Sequence, residues 1–375
     1  MDIFALLAQV FSGFATFTAG QALMIVAGLV LIYLAVAKEI EPVLLLPIGF
    51  GCILANLGMS AYQPDGFLYW LYKAGIETEL FPLLIFVGVG AMIDFRPLLA
   101  MPHMALLGAA GQFGIYGTLV LAALLGFSLK EAASIGVIGA IDGPTAIFVS
   151  SQLAPELLGP IAVAAYSYMS LIPIIQPPIM RLLTTRRERL IRMDYAPRPV
   201  SKRAVIAFPL VVLVVVSLLA PQAAPLIATL MLGNLIKEVG VVERLNKAAQ
   251  NEIINISTLF LGLAIGATMT AERFLTVSTL QIMGLGLLAF VLDTIAGLLF
   301  GKLMALVTGG KINPLIGACG ISAFPMAGRL SARLAQEEDF QNFIIMHAMG
   351  ANTAGQLGSV VAGGLLLVLV HLVGG

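Results

Sequence analysis

GAIDGPTAIF (residues 139–148) decides the fold, because it sets an acid and two helix breakers in the middle of an apolar segment. Pro144 removes a backbone donor and crowds the preceding turn, while Gly143 tolerates dihedrals closed to other residues. On either side lie about 12 residues, roughly 18 Å at helical rise, which reaches the middle of a bilayer and no further. The spacing therefore predicts a re-entrant hairpin over 130–154, broken at Asp142-Gly143-Pro144. Unpaired backbone at that depth is tolerated only where it lines a cavity or is buried in protein. Freed carbonyls at a half-helix C-terminus attract a cation, so a bound monovalent ion is expected to neutralise Asp142 there.

The surrounding chain is a membrane protein by composition. Of 375 residues, 59% are hydrophobic and 11% charged, against about a quarter charged in a soluble domain. Mean hydropathy is +1.01. Stretches 97–129, 157–180, 204–236, 253–271 and 340–375 contain no Asp, Glu, Lys or Arg. A net charge of zero and the absence of a basic, aromatic-studded stripe argue against nucleic acid. Cys52 and Cys319 sit in apolar runs and read as small buried hydrophobes. The opening residues carry Asp2 and no basic n-region, unlike a signal peptide; Phe4, Leu7, Phe11 and Phe14 predict an interfacial helix within 1–20.

Two sets of six apolar segments follow: 21–37, 43–57, 79–93, 104–126, 130–154 and 157–183, then 203–220, 224–239, 248–269, 277–306, 313–335 and 341–371. Between them the loop 184–203 (TTRRERLIRMDYAPRPVSKR) is strongly basic. A shift of 181 pairs Lys130 with Lys311, Gly136 with Gly317, Gly139 with Gly320, Pro144 with Pro325 and Ser150 with Ser331. Segment 313–335 is thus a second broken hairpin, interrupted at Gly320 and Phe324-Pro325. If both hairpins enter and leave on one side, each half has five crossings and the halves are inverted. That arrangement places Lys and Arg on the side of the basic loop, with Lys73, Lys130 and Arg273 as the exceptions. The expected fold is an all-α polytopic membrane protein of two inverted repeats, 21–183 and 204–375, joined by a cytoplasmic loop.

Ionisable groups at membrane depth are Asp142, Asp293 and Arg329. Thr145, Asn313, Ser322, Asn352 and Thr353 stand at or beside breaks and supply the oxygens a hard cation prefers. Helix–helix hydrogen bonding is the competing use of such residues. Tyr166 and Tyr168 lie too deep for interfacial anchors, so a functional role competes with packing; His347, in the register of Tyr166, reads as a core histidine. Broken helices and inverted repeats alone also suit a Na+-coupled carboxylate symporter or a Na+/H+ antiporter.

The stretches FVGVGAMIDFRPLLA, EAASIGVIGAIDGPTAIFVSSQLAPELLGPIAVAAYSYMSLIPIIQPPIM, KINPLIGACGISAFPMAGR and FIIMHAMGANTAGQLGS resemble the membrane β subunit of the biotin-dependent sodium-pumping decarboxylases. The resemblance covers residues 20–370. It implies a subunit that decarboxylates carboxybiotin, exports Na+ and consumes a proton. It assigns ion binding to Asp142, Asn313, Ser322 and Asn352. Catalysis or proton handling falls to Tyr166, Tyr168 and Asp142, and carboxybiotin recognition to Arg329. The implied partners are a carboxyltransferase α subunit, a biotin carrier, a small γ or δ membrane subunit and further β copies, in the inner (plasma) membrane of a bacterium or archaeon. The chain contains no Met-Lys-Met biotinylation motif, so the carrier is expected elsewhere. The family's usual GGADGP reads GAIDGP here, SAVPMAAR reads SAFPMAGR and GPNVAG reads GANTAG; the acid, the asparagines and the arginine remain.

Overall fold

A computed structural model describes residues 17–193 and 199–374. The expected interfacial helix at 1–20 falls almost wholly outside the described residues, as does the middle of the basic loop. No strand occurs among the described residues. The main helices are α1 Ala19–Ala37, α2 Pro42–Asn56, α3 Leu80–Met92, α4 Met104–Ala110, α5 Phe113–Leu124, α6 Leu129–Gly136, α7 Gly143–Leu153, α8 Leu158–Leu183, α9 Lys202–Leu219, α10 Ala224–Val239, α11 Ile254–Thr268, α12 Val277–Val307, α13 Met326–Glu338 and α14 Ile345–Gly374. Six helical stretches are long and apolar enough to cross a bilayer, and two bent pairs raise the number to eight. The chain is a multi-pass membrane protein.

Local chemistry sets the ends. Thr18 and Gln21 close a capping box on α1, and Ser128 with Glu131 closes one on α6. Leu23, Val26, Leu29 and Val30 on α1 stay about half exposed, as do Leu210, Val211 and Val214 on α9. In water such stripes would be a liability; against lipid they are the exterior.

The helices sort into two groups, and each group draws on both halves of the chain. In the first, α1 packs on α2, α2 on α11, α3 on α10 and α11, and α9 on α10. Small residues allow the close approach: a Cβ on Gly28 would lie 2.7 Å from the Gly49 carbonyl oxygen. The second group holds α4 to α8 and α12 to α14 around both breaks. Here α12 is the common wall. Its Gly286 faces Ile138 and Tyr168, and its Gly297 and Gly301 face Gly317 and Pro314. The segment expected as one helix over 104–126 is itself interrupted at Gly111-Gln112, where Gly111 lies against the Gly320 backbone.

The helix is interrupted at both expected places. In the first, α6 tightens into a 3₁₀ turn at Val137–Ala140, passes through Ile141 in the left-handed region (φ 53°), and restarts as α7 with Asp142 as N-cap. A β-branched residue at that dihedral is strained, and its burial against Ile172, Phe290 and Ile321 holds it there. In the second, a 3₁₀ run over Pro314–Gly320 leads through Ser322 to α13. The expectation placed Asp142 beside the freed carbonyls of the first arm. The structure puts its carboxylate on the N-terminus of the second arm instead, where N–H groups and the helix dipole already favour negative charge.

The basic loop is tied to the end of α13. Arg181 pairs with Glu337, Arg186 and Arg189 with Glu338, and Arg192 with Asp339, at 2.6–3.3 Å. Arg189 also donates to the Thr184 carbonyl at 2.5 Å. Its hydrogen bond and charge hold Glu338 below the usual 4.5, and the Gln341 N–H, then Arg192, hold Asp339 below 3.8. A carboxylate lowered in the folded state stabilises it fully above the unfolded value, and that contribution is lost as pH falls through the folded value. Amide protection over residues 186–193, measured against the intrinsic exchange rate at each pH, is therefore expected to be present at neutral pH and to fall below about pH 4.5. Arg189→Ala should lower it already at neutral pH.

Candidate functional site

The two breaks meet. The Ser322 N–H donates to the Ala140 carbonyl at 3.3 Å, joining the second break to the first. Beside this crossing lies Asp142, 6% exposed. Its Oδ2 accepts from Thr145 Oγ1 at 2.8 Å, Gln356 Nε2 at 2.8 Å and Ser359 Oγ at 3.0 Å, and its Oδ1 from the Thr145 N–H at 3.5 Å. Four donors and no cationic side chain surround it, an environment built for an anion with one more partner to accept.

A cavity of about 300 Å³ opens onto this carboxylate. Its walls come from both helix groups. Glu41, Ile85 and Thr258 belong to the first; Asp142, Tyr166 and Gln356 belong to the second. Tyr166 lies over Gly143 so closely that a Cβ there would enter its ring, which is why the breaker at this position is a glycine. Ser322, Ala323 and Phe324 complete the rim.

The second break is held by amides that donate into its freed carbonyls. Asn352 Nδ2 reaches the Cys319 and Ile321 oxygens at 3.2 and 2.7 Å. Gln112 Nε2 reaches Gly320 at 3.1 Å and Gly355 at 3.2 Å, and Gln176 Nε2 reaches Ala318 at 2.8 Å. Ser322 Oγ donates to Gly355 at 3.2 Å. The side-chain oxygens of Asn352, Gln112 and Gln176 are buried with no hydrogen-bond partner. Buried acceptors left over after the donors are used are suited to a cation or a water.

The residues singled out from sequence thus divide. Asp142, Tyr166 and Ser322 share one cavity, and Asn352 stands one turn from Gln356 on α14. Thr145 donates to Asp142, and Thr353 bonds back to the Met349 carbonyl. Tyr168 lies outside the cavity walls and donates to the Met283 carbonyl at 2.5 Å. Asn313 is committed elsewhere: its amide bonds the Arg189 and Ile191 carbonyls at 3.0 and 2.9 Å, the two groups Asn342 also holds. Arg329 is exposed on the outer face of α13, in a pocket of about 230 Å³ with Arg333, Gln336 and Phe343. His347 is buried, and both cysteines are free and buried.

Four residues of this site were not singled out: Gln112, Gln176, Gln356 and Ser359. Asn352, Gln356 and Ser359 recur at i, i+4 and i+7, one helical stripe. That spacing was readable. The glycine-rich run around it drew attention to the break rather than to the stripe.

A family model described as the Na+-transporting oxaloacetate decarboxylase β subunit matches residues 20–370. The methylmalonyl-CoA decarboxylase subunit β of Veillonella parvula is 53% identical over 359 residues, covering 96% of this chain and 95% of its own length. The glutaconyl-CoA decarboxylase subunit β of Acidaminococcus fermentans is 52% identical over 359 residues, covering 96% of each. The oxaloacetate decarboxylase β chain of Klebsiella pneumoniae is 48% identical over 415 residues, covering 94% of this chain and 95% of its own.

Proposed function

This chain belongs to the β-subunit family of the Na+-transporting decarboxylases, and from that premise we propose that the Asp142 cavity is where it binds the Na+ it exports. The family is a membrane decarboxylase and Na+ pump, biotin-dependent and multi-subunit, and this chain is its membrane decarboxylase subunit. The observation that carries the proposal is a buried carboxylate with four donors and no cationic side chain paired to it among the described residues, at the crossing of two helix breaks.

Na+ sits against Asp142, with oxygens drawn from Ser322, Asn352 and the broken backbone. Asn313 acts on the ion from a distance, by fixing the start of the second break to the basic loop. The substrate is carboxybiotin carried on a partner, its carboxylate recognised by the Arg329 guanidinium. On decarboxylation the bond from ureido nitrogen to carboxyl carbon breaks, CO2 leaves, and the electron pair stays on nitrogen, which takes a proton. Tyr166 and Tyr168 line the route by which that proton arrives. Proton and Na+ compete for Asp142, so decarboxylation drives the exchange.

The finer architecture is part of the same reading. The two halves are inverted repeats, each with about five crossings and one hairpin, and the 181-residue register between the hairpins supports this. The assembly includes a carboxyltransferase α subunit, a biotin carrier, a small γ or δ subunit and further β copies, in the inner membrane of a bacterium or archaeon.

Purified protein supplied with free carboxybiotin tests the proposal. Decarboxylation is expected to rise saturably with Na+ and not with K+ at equal ionic strength. Equal rates in both salts would remove Na+ from the mechanism, and no decarboxylation in either, with the partner subunits present, would favour a Na+-coupled transporter.

A further inference from the structure

Two aspartates are buried among the described residues, and their surroundings are opposite. Asp142 accepts four donors. Asp293, fully buried in the middle of α12, accepts one: its Oδ1 takes the backbone N–H of Gly114, and its Oδ2 has no partner. No ion pair among the described residues involves it.

The elements packed against α12 bring no neutralising charge. On α6 the charged groups are Lys130 and Glu131, in its exposed outer turn. On α8 Arg181 is paired with Glu337, and on α12 itself Lys302 is paired with Glu188. The remaining titratable groups there are Tyr166, buried at the Asp142 cavity, the Tyr168 hydroxyl, bonded to Met283, the Cys319 thiol, bonded to Ser331, and the partly exposed Tyr116.

A carboxylate buried in hydrocarbon with one hydrogen bond and no cation costs several kcal/mol, and a proton removes that cost most simply. Thr118 stands one helical turn beyond Gly114 on α5. It is fully buried and its Oγ1 also lacks a partner. Gly114 meets Asp293 so closely that a Cβ there would lie 2.5 Å from its Cγ, so Thr118, at i+4, is on the face that α5 turns toward the acid.

We propose that Asp293 is held as a neutral carboxylic acid, a proton-carrying group separate from the ion-binding carboxylate Asp142. Two buried carboxyls kept in contrasting environments are a usual sign of divided acid and base roles. Position gives the acid its use. Gly114, its hydrogen-bond partner, packs against Gly139 of the first break, and Gly297, one turn along α12, packs against Gly317 of the second. A shift of either break alters the N–H that holds Asp293 and with it the acid's hold on its proton. Resting on the function proposed above, Asp293 is a store for the proton that decarboxylation consumes.

Infrared spectra of the purified protein at neutral pH with saturating Na+ test the charge state whether or not the protein decarboxylates. With Asp142 held ionised by Na+, the wild type is expected to show a protonated-carboxyl band that shifts in D2O. The band should persist in Asp142→Asn and vanish in Asp293→Asn, and Asp293→Glu should displace it. Turnover of Asp293→Asn should fall about tenfold or more, with its Na+ midpoint unchanged within about twofold. A wild-type spectrum with no such band, which needs no variant to fold, overturns the proposal. So does a band that survives in Asp293→Asn.

Discussion

Asp142→Asn is expected to cut Na+-activated decarboxylation on the order of 10²- to 10³-fold while leaving the protein folded. The substitution keeps the size of the side chain, and its amide oxygen can still accept from Thr145, Gln356 or Ser359. What it removes is the charge that those donors and the helix N-terminus stabilise. Losing one member of a buried charge–partner set costs about 2–5 kcal/mol, and each 1.4 kcal/mol is tenfold. The loss should appear at every Na+ concentration, since an amide leaves Na+ without its counter-charge. Initial rates over a Na+ titration, with yield and melting behaviour measured alongside, give the comparison. Near-wild-type turnover with an unchanged Na+ midpoint would remove Asp142 from ion binding.

Gly317→Val is expected to have the largest effect on the fold, preventing stable accumulation of the protein in the membrane. Gly317 lies in the 3₁₀ run of the second break and meets Gly297 of α12 backbone to backbone. Even a Cβ there would fall inside the Gly297 carbonyl, which has no side chain to move aside. Gly297→Val should fail in the same way from the opposite wall. Gly284→Val is the control, because a Cβ at Gly284 meets nothing within 4 Å. Overpacking of a close backbone contact typically costs 1–3 kcal/mol, and here it also displaces the carbonyls that Asn352 and Gln176 bind, at about 1 kcal/mol or more apiece. Detergent-extracted yield and thermal aggregation of the three variants separate the cases; accumulation of Gly317→Val at the level of Gly284→Val would mean the two walls are not in contact.

The breaks were legible because they depend on what a residue cannot do. Pro144 and Pro325 interrupt the i→i−4 ladder, and an acid cannot lie bare in hydrocarbon, so GAIDGP marked the break and the buried acid at it without any partner in view. The partners were harder to read because most are backbone groups far away in the chain. Asn313 looked like an ion ligand by its position at a break, yet its amide holds two carbonyls of the basic loop. Asp293 has no polar residue one turn away on its own helix, and its one bond comes from a backbone N–H, that of Gly114, which leaves no mark in the side-chain pattern. The interruption at Gly111-Gln112 was hidden for a similar reason. Its glycines and alanines suit an apolar helix, and only the approach of the Gly320 backbone requires the chain to open there. Arg329 reads from sequence as a charge at membrane depth, and its side chain is exposed on α13 beside Arg333.

These placements give the pump its shape. The Asp142 cavity lies between two helix groups, so relative movement of the groups changes access to it. The amides that hold the second break reach it from the α4–α5 interruption, α8 and α14, so the break is fixed within its own group and would move with it.

The most direct test of the whole account is Na+ transport by the assembled decarboxylase in sealed proteoliposomes, with radioactive Na+ outside and turnover started by carboxybiotin or its upstream donor. The account predicts Na+ accumulation inside in step with CO2 release, abolished together with it in Asp142→Asn and undiminished by a proton ionophore. CO2 release at full rate without Na+ accumulation in tight vesicles would contradict it.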